Sequence, residues 1–262
     1  AVGVAGLGWR ITLMAVQTHD DEGIATYFNV AAGIVYAVDM GAAVINLSTA
    51  GPYSSAIQSA IDYAYSHGAV VVAAAGNSSL DLDSSLVSPV CNDGASNEVI
   101  GVAATGGADV LADYSNYGSK NVDVSAPGDQ ILSTMLVDTT FGFSAPYGYF
   151  SGTSMATPFV SALAALVKSA NPGLSNTQIR DIIMASADPI DAVNPVHAGE
   201  LGAGRINARN AVQSLLSGDQ VPPEPPSNLI ATDSGDGGSV LLDWTASPSP
   251  DVAGYFLYRG IQ

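Results

Sequence analysis

The chain has 262 residues, 47% of them hydrophobic, and carries 24 acidic against 7 basic side chains, a formal net charge of −17. A surface of that sign repels nucleic acid and anionic membranes, and no basic patch offsets it. No apolar run reaches the length of a bilayer span, and Cys91 stands alone, so no disulfide closes within the chain.

In chain order, Arg10 to Gln17 reads as a short apolar strand, followed by the acidic loop Thr18 to Gly23 and a helix-like stretch to Met40 that Gly41 closes. Ala43 to Leu47 predicts a buried strand, Ser54 to His67 a second helix ended by Gly68, and Ala69 to Ala75 a continuous strand of small apolar residues. Glu98 to Ala104 and Gln130 to Thr134 supply further strands, the second a short edge piece. Apolar strands alternating with helices imply an α/β fold, a mostly parallel sheet with helices on both faces. Ligands gather beyond the carboxyl ends of strands in such a sheet. Two loops lie there: Ser48-Thr49-Ala50-Gly51 and Gly76-Asn77.

The string Ser151-Gly152-Thr153-Ser154-Met155-Ala156-Thr157-Pro158 stands directly before the apolar run Phe159 to Val167. Glycine permits a tight turn, Ser154 opens a helix, and Pro158 is placed in the first turn, where a missing amide hydrogen is tolerated. The helix is apolar nearly all round, which predicts a central buried element holding Ser154 rigidly, with amides at its start that favour negative charge. A serine before a helix reads first as an N-cap, and what overturns that reading is the whole eight-residue string taken with Ala73 to Asn77 upstream. Beyond it, Asn171-Pro172-Gly173 stops the helix and Ser175 to Ser186 restarts one, with Ser175 and Gln178 at capping-box spacing. A last helix ends near Leu216. Gly202-Ala203-Gly204 has no strand before it, which argues against a nucleotide-binding turn. Residues 217 to 226 are proline-rich and read as a stiff linker. Ser227 to Thr232, Ser239 to Trp244 and Gly254 to Arg259 then read as strands, with a turn at Ser234 to Gly238.

Gly152 to Pro158, taken with Ala74-Ala75-Gly76-Asn77, resembles the nucleophile and oxyanion strings of the subtilisin-like serine proteases, the subtilases. The resemblance covers residues 1 to about 216. It implies that Ser154 is the acylated nucleophile and that the Asn77 side-chain amide and the Ser154 backbone N–H stabilise the oxyanion. It also implies a substrate-binding set of Ser48, Thr49, Ala50, Gly51, Ala75, Gly76 and Thr153, with Thr49-Ala50 standing where the family has Leu-Gly. Polypeptide substrates, a secreted location and chemistry without a cofactor follow from the same resemblance. The family often carries structural calcium, and the loops Asp20 to Glu22 and Asp81 to Asp83 offer oxygen ligands, but their spacing assigns no metal residue. Asp123 to Gly128 resembles a structural string of the family without a chemical role.

The family order is aspartate, histidine, serine. Neither the aspartate motif nor H-G-T-H-x-A-G occurs before Ser154, and the three histidines, His19, His67 and His197, lack that context. Val2 to Gly6 resembles the family segment after the histidine-bearing helix. The expectation is a catalytic domain (1–216) whose base and orienting acid lie upstream, and a 262-residue fragment that is inactive alone. After the linker (217–226), residues 227–262 resemble the first half of a fibronectin type III domain, through Leu242-x-Trp244 and Tyr255-x-x-Tyr258. That part is expected to be a partial, loosely ordered all-β sandwich that contacts a polymer or cell surface. Two other readings use the same residues. One is a non-catalytic binding module or pseudoenzyme on the same scaffold. The other is a serine esterase or lipase using Ser154, Asp188 or Asp191, and His197, although Ala156 stands where the esterase elbow has glycine.

Overall fold

A computed structural model describes residues 3–8, 10–94, 96–137, 145–215, 226–233 and 240–246. The chain divides into two units, Ala1–Leu215 and Leu216–Gln262.

In the first unit, four parallel strands form a sheet in the order β1-β3-β5-β6: β1 (Val44–Leu47), β3 (Val70–Ala74), β5 (Val99–Thr105) and β6 (Val124–Pro127). Side chains alternate across a strand, so a run that is apolar throughout needs cover on both faces. Val71 and Ala73 of β3, with Val99 and Ala103 of β5, join a core with α1 (Tyr27–Asp39) and α2 (Ser55–Ser66). Val70 and Val72, with Ile100, Val102 and Ala104, join a second core with α3 (Thr153–Ala170), α4 (Asn176–Ala185) and α5 (Ala208–Leu215). The expected α/β layering is therefore present. Ser175 and Gln178 close the capping box that their spacing predicts on α4, and the Thr26 hydroxyl accepts from Asn29 N to start α1.

Several local expectations are corrected. Arg10 to Gln17 is not a strand: it pairs with no ladder, and Leu13 is 89% exposed while only Val16 of this stretch packs on the core. A period-two pattern marks a face, but a strand also needs a hydrogen-bonded neighbour. Gln130 to Thr134 does not edge the central sheet. It forms β7 (Ile131–Thr134) in a separate antiparallel ribbon with β8 (Tyr147–Phe150), which runs directly into the Ser154 string. Val124–Pro127, read as a structural string, is a strand of the sheet. Pro158 lies inside α3, beyond its first turn, because the helix already begins at Thr153. A small antiparallel pair, β2 (Gly51–Pro52) with β4 (Val87–Ser88), completes this unit.

In the second unit, β9 (Ser227–Asp233) and β10 (Val240–Thr245) pair antiparallel, with an irregularity between Asp243 and Thr245. The turn Ser234 to Gly238, the strand expected at Gly254 to Arg259 and the linker up to Pro225 lie outside the described residues.

Candidate active site

The carboxyl ends of β1 and β3 and the amino end of α3 meet at one place. β1 ends at Leu47 and delivers Ser48 to Gly51; β3 ends at Ala74 and delivers Ala75 to Asn77. A Cβ placed on Gly76 would lie 3.7 Å from the Ala50 Cβ, so the two loops face each other. Helix α3 enters through Gly152, whose φ of +156° and N-cap position turn the chain out of β8. Thr153 and Ser154 are then the first two helical residues, and Ser154 is partly exposed whereas Thr153 is buried.

Asn77 is held by Thr153 at both of that residue's donors. The Thr153 amide and hydroxyl donate to Asn77 Oδ1 at 2.8 and 2.9 Å. The same hydroxyl accepts from the Gly76 amide at 3.1 Å. With the Oδ1 end so engaged, the Nδ2 end of the amide is directed away from Thr153. A Cβ on Gly152 would stand 3.4 Å from Asn77 Nδ2 and 3.7 Å from Ser154 N, so these two donors border one small volume. A carbonyl oxygen acquiring negative charge is stabilised by such fixed donors at a helix start.

The Ser154 hydroxyl donates to the Ser48 carbonyl at 3.1 Å, and the Ser48 hydroxyl donates to the Ser154 carbonyl at 2.9 Å. Thr49 is partly buried and lies 3.4 Å, Oγ1 to Nε2, from His19, whose Nδ1 is 2.9 Å from Thr18 Oγ1. Gly51 enters β2, where a Cβ would touch the Tyr27 ring at 3.6 Å. Ala75 is fully buried; its amide donates to Val102 O and its carbonyl accepts from Asn116 Nδ2 at 2.8 Å. All nine residues singled out from the sequence thus lie on these three converging segments. Asn116 and His19 touch two of them and were not singled out, since their contacts cross 41 and 30 residues of chain.

The other histidines are engaged elsewhere. His67 caps α2, with Nδ1 2.8 Å from Tyr63 O and its ring against that tyrosine. His197 lies 2.9 Å from Glu200 Oε2 and stacks near Tyr117. Asp188 receives Arg205 and Asn207, and Asp191 receives the Gly199 amide. None of these bonds reaches Ser154, so the crowded Asp188, Asp191 and His197 loop makes no triad with it.

Several oxygens of the calcium candidates already accept hydrogen bonds. Asp20 Oδ1 accepts from Ile24 N, Asp81 Oδ1 from Asp83 N, and the Asp83 carboxylate from Ser119 and the Lys120 amide. The Ser119 hydroxyl bond holds the Asp83 carboxyl below its ordinary range. Among the described residues no three acidic, histidine or cysteine side chains gather to hold a metal ion.

The model of the subtilase family, peptidase S8, matches residues 1–221. The chain is 40% identical over 213 residues to the thermophilic serine proteinase of Bacillus sp. (strain AK1), covering 81% of this chain and 48% of that protein. It is 40% identical over 214 residues to thermitase of Thermoactinomyces vulgaris, covering 81% of this chain and 69% of that one. A solved protease of Pseudoalteromonas arctica PAMC 21717 superposes with a TM-score of 0.70 at 34% identity, over 81% of this chain and 66% of that one. The chain thus spans about half the length of the first relative and about two thirds of the other two.

Proposed function

The chain belongs to the subtilase family, and from that premise we propose that it carries the nucleophile and oxyanion half of a secreted serine endopeptidase. Family membership makes serine protease chemistry on polypeptides the premise; the residue roles and the location are our reading. The observation that carries it is the Thr153 clamp, which seats the Asn77 amide beside the Ser154 amide at the start of α3.

In this reading the substrate carbonyl enters between the loop Ser48 to Gly51 and the loop Ala75 to Asn77. Ser154 Oγ gives up its bond to the Ser48 carbonyl and attacks the carbonyl carbon, while its proton passes to a histidine base. The carbonyl oxygen becomes an oxyanion that accepts from Asn77 Nδ2 and Ser154 N. The C–N bond breaks, the leaving amine takes the proton, and water hydrolyses the ester on Ser154 by the same route. No cofactor enters these steps. His67 and His197 are engaged elsewhere and His19 bonds to Thr18 and Thr49; in this reading the base and its orienting aspartate come from polypeptide outside these 262 residues. We read residues 1–216 as catalytic domain, 217–226 as linker and 227–262 as the first half of a fibronectin type III sandwich, a reading that the antiparallel β9–β10 ladder supports.

The test is active-site labelling with a phosphonyl fluoride together with peptide hydrolysis. In the complete protease, Ser154→Ala should abolish both and leave the fold intact, and the 262-residue chain should hydrolyse peptides negligibly. Hydrolysis that survives Ser154→Ala overturns the assignment; rapid Ser154-dependent turnover by the 262-residue chain overturns the external base.

A further inference from the structure

We propose that Asn116 is a positioning residue for the oxyanion donor Asn77, an inference that rests on the role assigned to Asn77 above. Asn116 is 1% exposed, in the loop that follows β5. Its side chain brackets Asn77 from both directions along the chain. Nδ2 donates to the carbonyl of Ala75 at 2.8 Å, two residues before, while Oδ1 accepts from the amides of Ser78 at 3.0 Å and Leu80 at 2.9 Å, one and three residues after. The Asn116 backbone amide adds a bond to the Gly76 carbonyl at 2.9 Å. Four bonds therefore fix the backbone on either side of residue 77, and the side chain of residue 77 is left to Thr153.

The chemistry of the site requires an amide. The bracket needs one donor toward a carbonyl and one oxygen able to accept twice, and among side chains of this length only asparagine offers both. Aspartate would keep the two acceptances and place a negative oxygen against the Ala75 carbonyl. Asn116 is itself immobilised: Ser115 Oγ accepts from the Ala104 amide of β5 at 3.0 Å and donates to the Asn116 carbonyl at 2.9 Å. The position of Asn77 is thereby referred to the central sheet.

This arrangement also explains the glycine that precedes Asn77. Gly76 has φ of +103°, and a Cβ there would lie 2.5 Å from Asn116 Nδ2. The absence of a side chain at position 76 is what lets the Asn116 amide reach Ala75.

The experiment is a double-mutant cycle of kcat and KM in the complete protease, using Asn77→Ala, Asn116→Asp and the pair, with melting temperatures measured alongside. Asn116→Asp should lower kcat by about tenfold or more, with KM changed less than about twofold, because a displaced donor weakens the transition state more than substrate binding. On the Asn77→Ala background the same change should cost little further. If Asn77→Ala leaves kcat unchanged, the oxyanion role fails and this inference with it. If Asn77→Ala is costly but Asn116→Asp costs as much with it as without it, or lowers only the melting temperature, the oxyanion role stands and the positioning role is wrong. Should Asn116→Asp not fold, Gly76→Ala presses a methyl group on the same amide and is read in the same cycle with the same two outcomes.

Discussion

Ser48 and Ser154 exchange hydrogen bonds, each hydroxyl donating to the other's carbonyl, at 3.1 Å from Ser154 and 2.9 Å from Ser48. The second bond has a cause inside α3. In an α-helix the carbonyl of residue i accepts from the amide of residue i+4, and the residue four beyond Ser154 is Pro158, which has no amide hydrogen. The Ser48 hydroxyl occupies the carbonyl that proline leaves open. A proline inside α3 is thus what ties that helix to the loop after β1.

The pairing predicts coupling between two positions that do not bond each other. Ser48→Ala should cost about 1 kcal/mol of unfolding free energy, the worth of one part-buried hydrogen bond. In a Pro158→Ala background the helix regains an amide aimed at the Ser154 carbonyl, and Ser48→Ala should then cost distinctly less. Urea unfolding of the four proteins measures the difference, and the effect of proline on the unfolded chain cancels in the cycle. Equal costs in both backgrounds would show that Ser48 does not replace the missing amide.

What could be read in advance follows from how local each signal is. β3 and β5 were legible because near-continuous apolar strands admit one environment, a sheet covered on both faces. The strings at Ala74 to Asn77 and Gly152 to Pro158 were legible because each is contiguous in the chain and resembles a family string, whereas the bonds between them, from Thr153 to Asn77, span 76 residues. β6 was hidden by its two ends: Asp123, just before it, and Pro127, its last residue, look like loop residues. In the fold, Asp123 accepts from the Gly101 amide and pairs with Arg180, and Pro127 sits at the strand's last position. Asn116 and His19 were hidden for another reason, since nothing near them in the chain indicates which loop they touch.

Gly101 should tolerate no side chain. It lies in β5 between β3 and β6, and a Cβ there would stand 1.9 Å from the Asn121 carbonyl oxygen and 2.9 Å from Val90 Cγ2. Backbone cannot yield as a flexible side chain does, so Gly101→Ala should destabilise by about 3 kcal/mol or more. Gly41→Ala is the control: its φ is +86° but nothing lies within 4 Å, and it should cost about 1 kcal/mol. Urea midpoints of the two variants that coincide would refute the steric argument.

A pH dependence follows from two carboxyls beside the β5 strand. Burial pushes Asp93, 9% exposed, from 3.8 up to about 6, and burial with the neighbouring Asp62 carboxyl pushes Glu98 from 4.5 up to about 7. Both folded values are raised, so between the two values of each group the folded state keeps a proton that the unfolded chain has released. Their contribution is whole below about pH 4 and is lost by about pH 7. Asp93→Asn keeps an oxygen for the Val99 amide, which now bonds Oδ1 at 2.8 Å, and removes the titration. Relative to the unsubstituted protein, the variant should gain up to about 3 kcal/mol between pH 4 and pH 7. Denaturant titrations at the two pH values check this, and parallel pH profiles would remove Asp93 as a source.

Thr153 offers a test of the clamp that leaves both proposed donors in place. Its hydroxyl, buried, accepts from Gly76 N at 3.1 Å and donates to Asn77 Oδ1 at 2.9 Å. Thr153→Val preserves the shape, strands the Gly76 amide and cuts one of the two bonds that orient Asn77. The backbone amide of residue 153 still holds Asn77 Oδ1, so kcat should fall less than in Asn77→Ala, for which removal of one oxyanion donor generally costs on the order of 10²-fold or more. The orphaned amide should also cost about 1 to 3 kcal/mol of stability. Thr153→Ser restores the hydroxyl and should recover most of the turnover. Peptide hydrolysis by the three variants of the complete protease decides the matter. Thr153→Val turning over as fast as the parent would mean that the orientation of Asn77 does not depend on this hydroxyl.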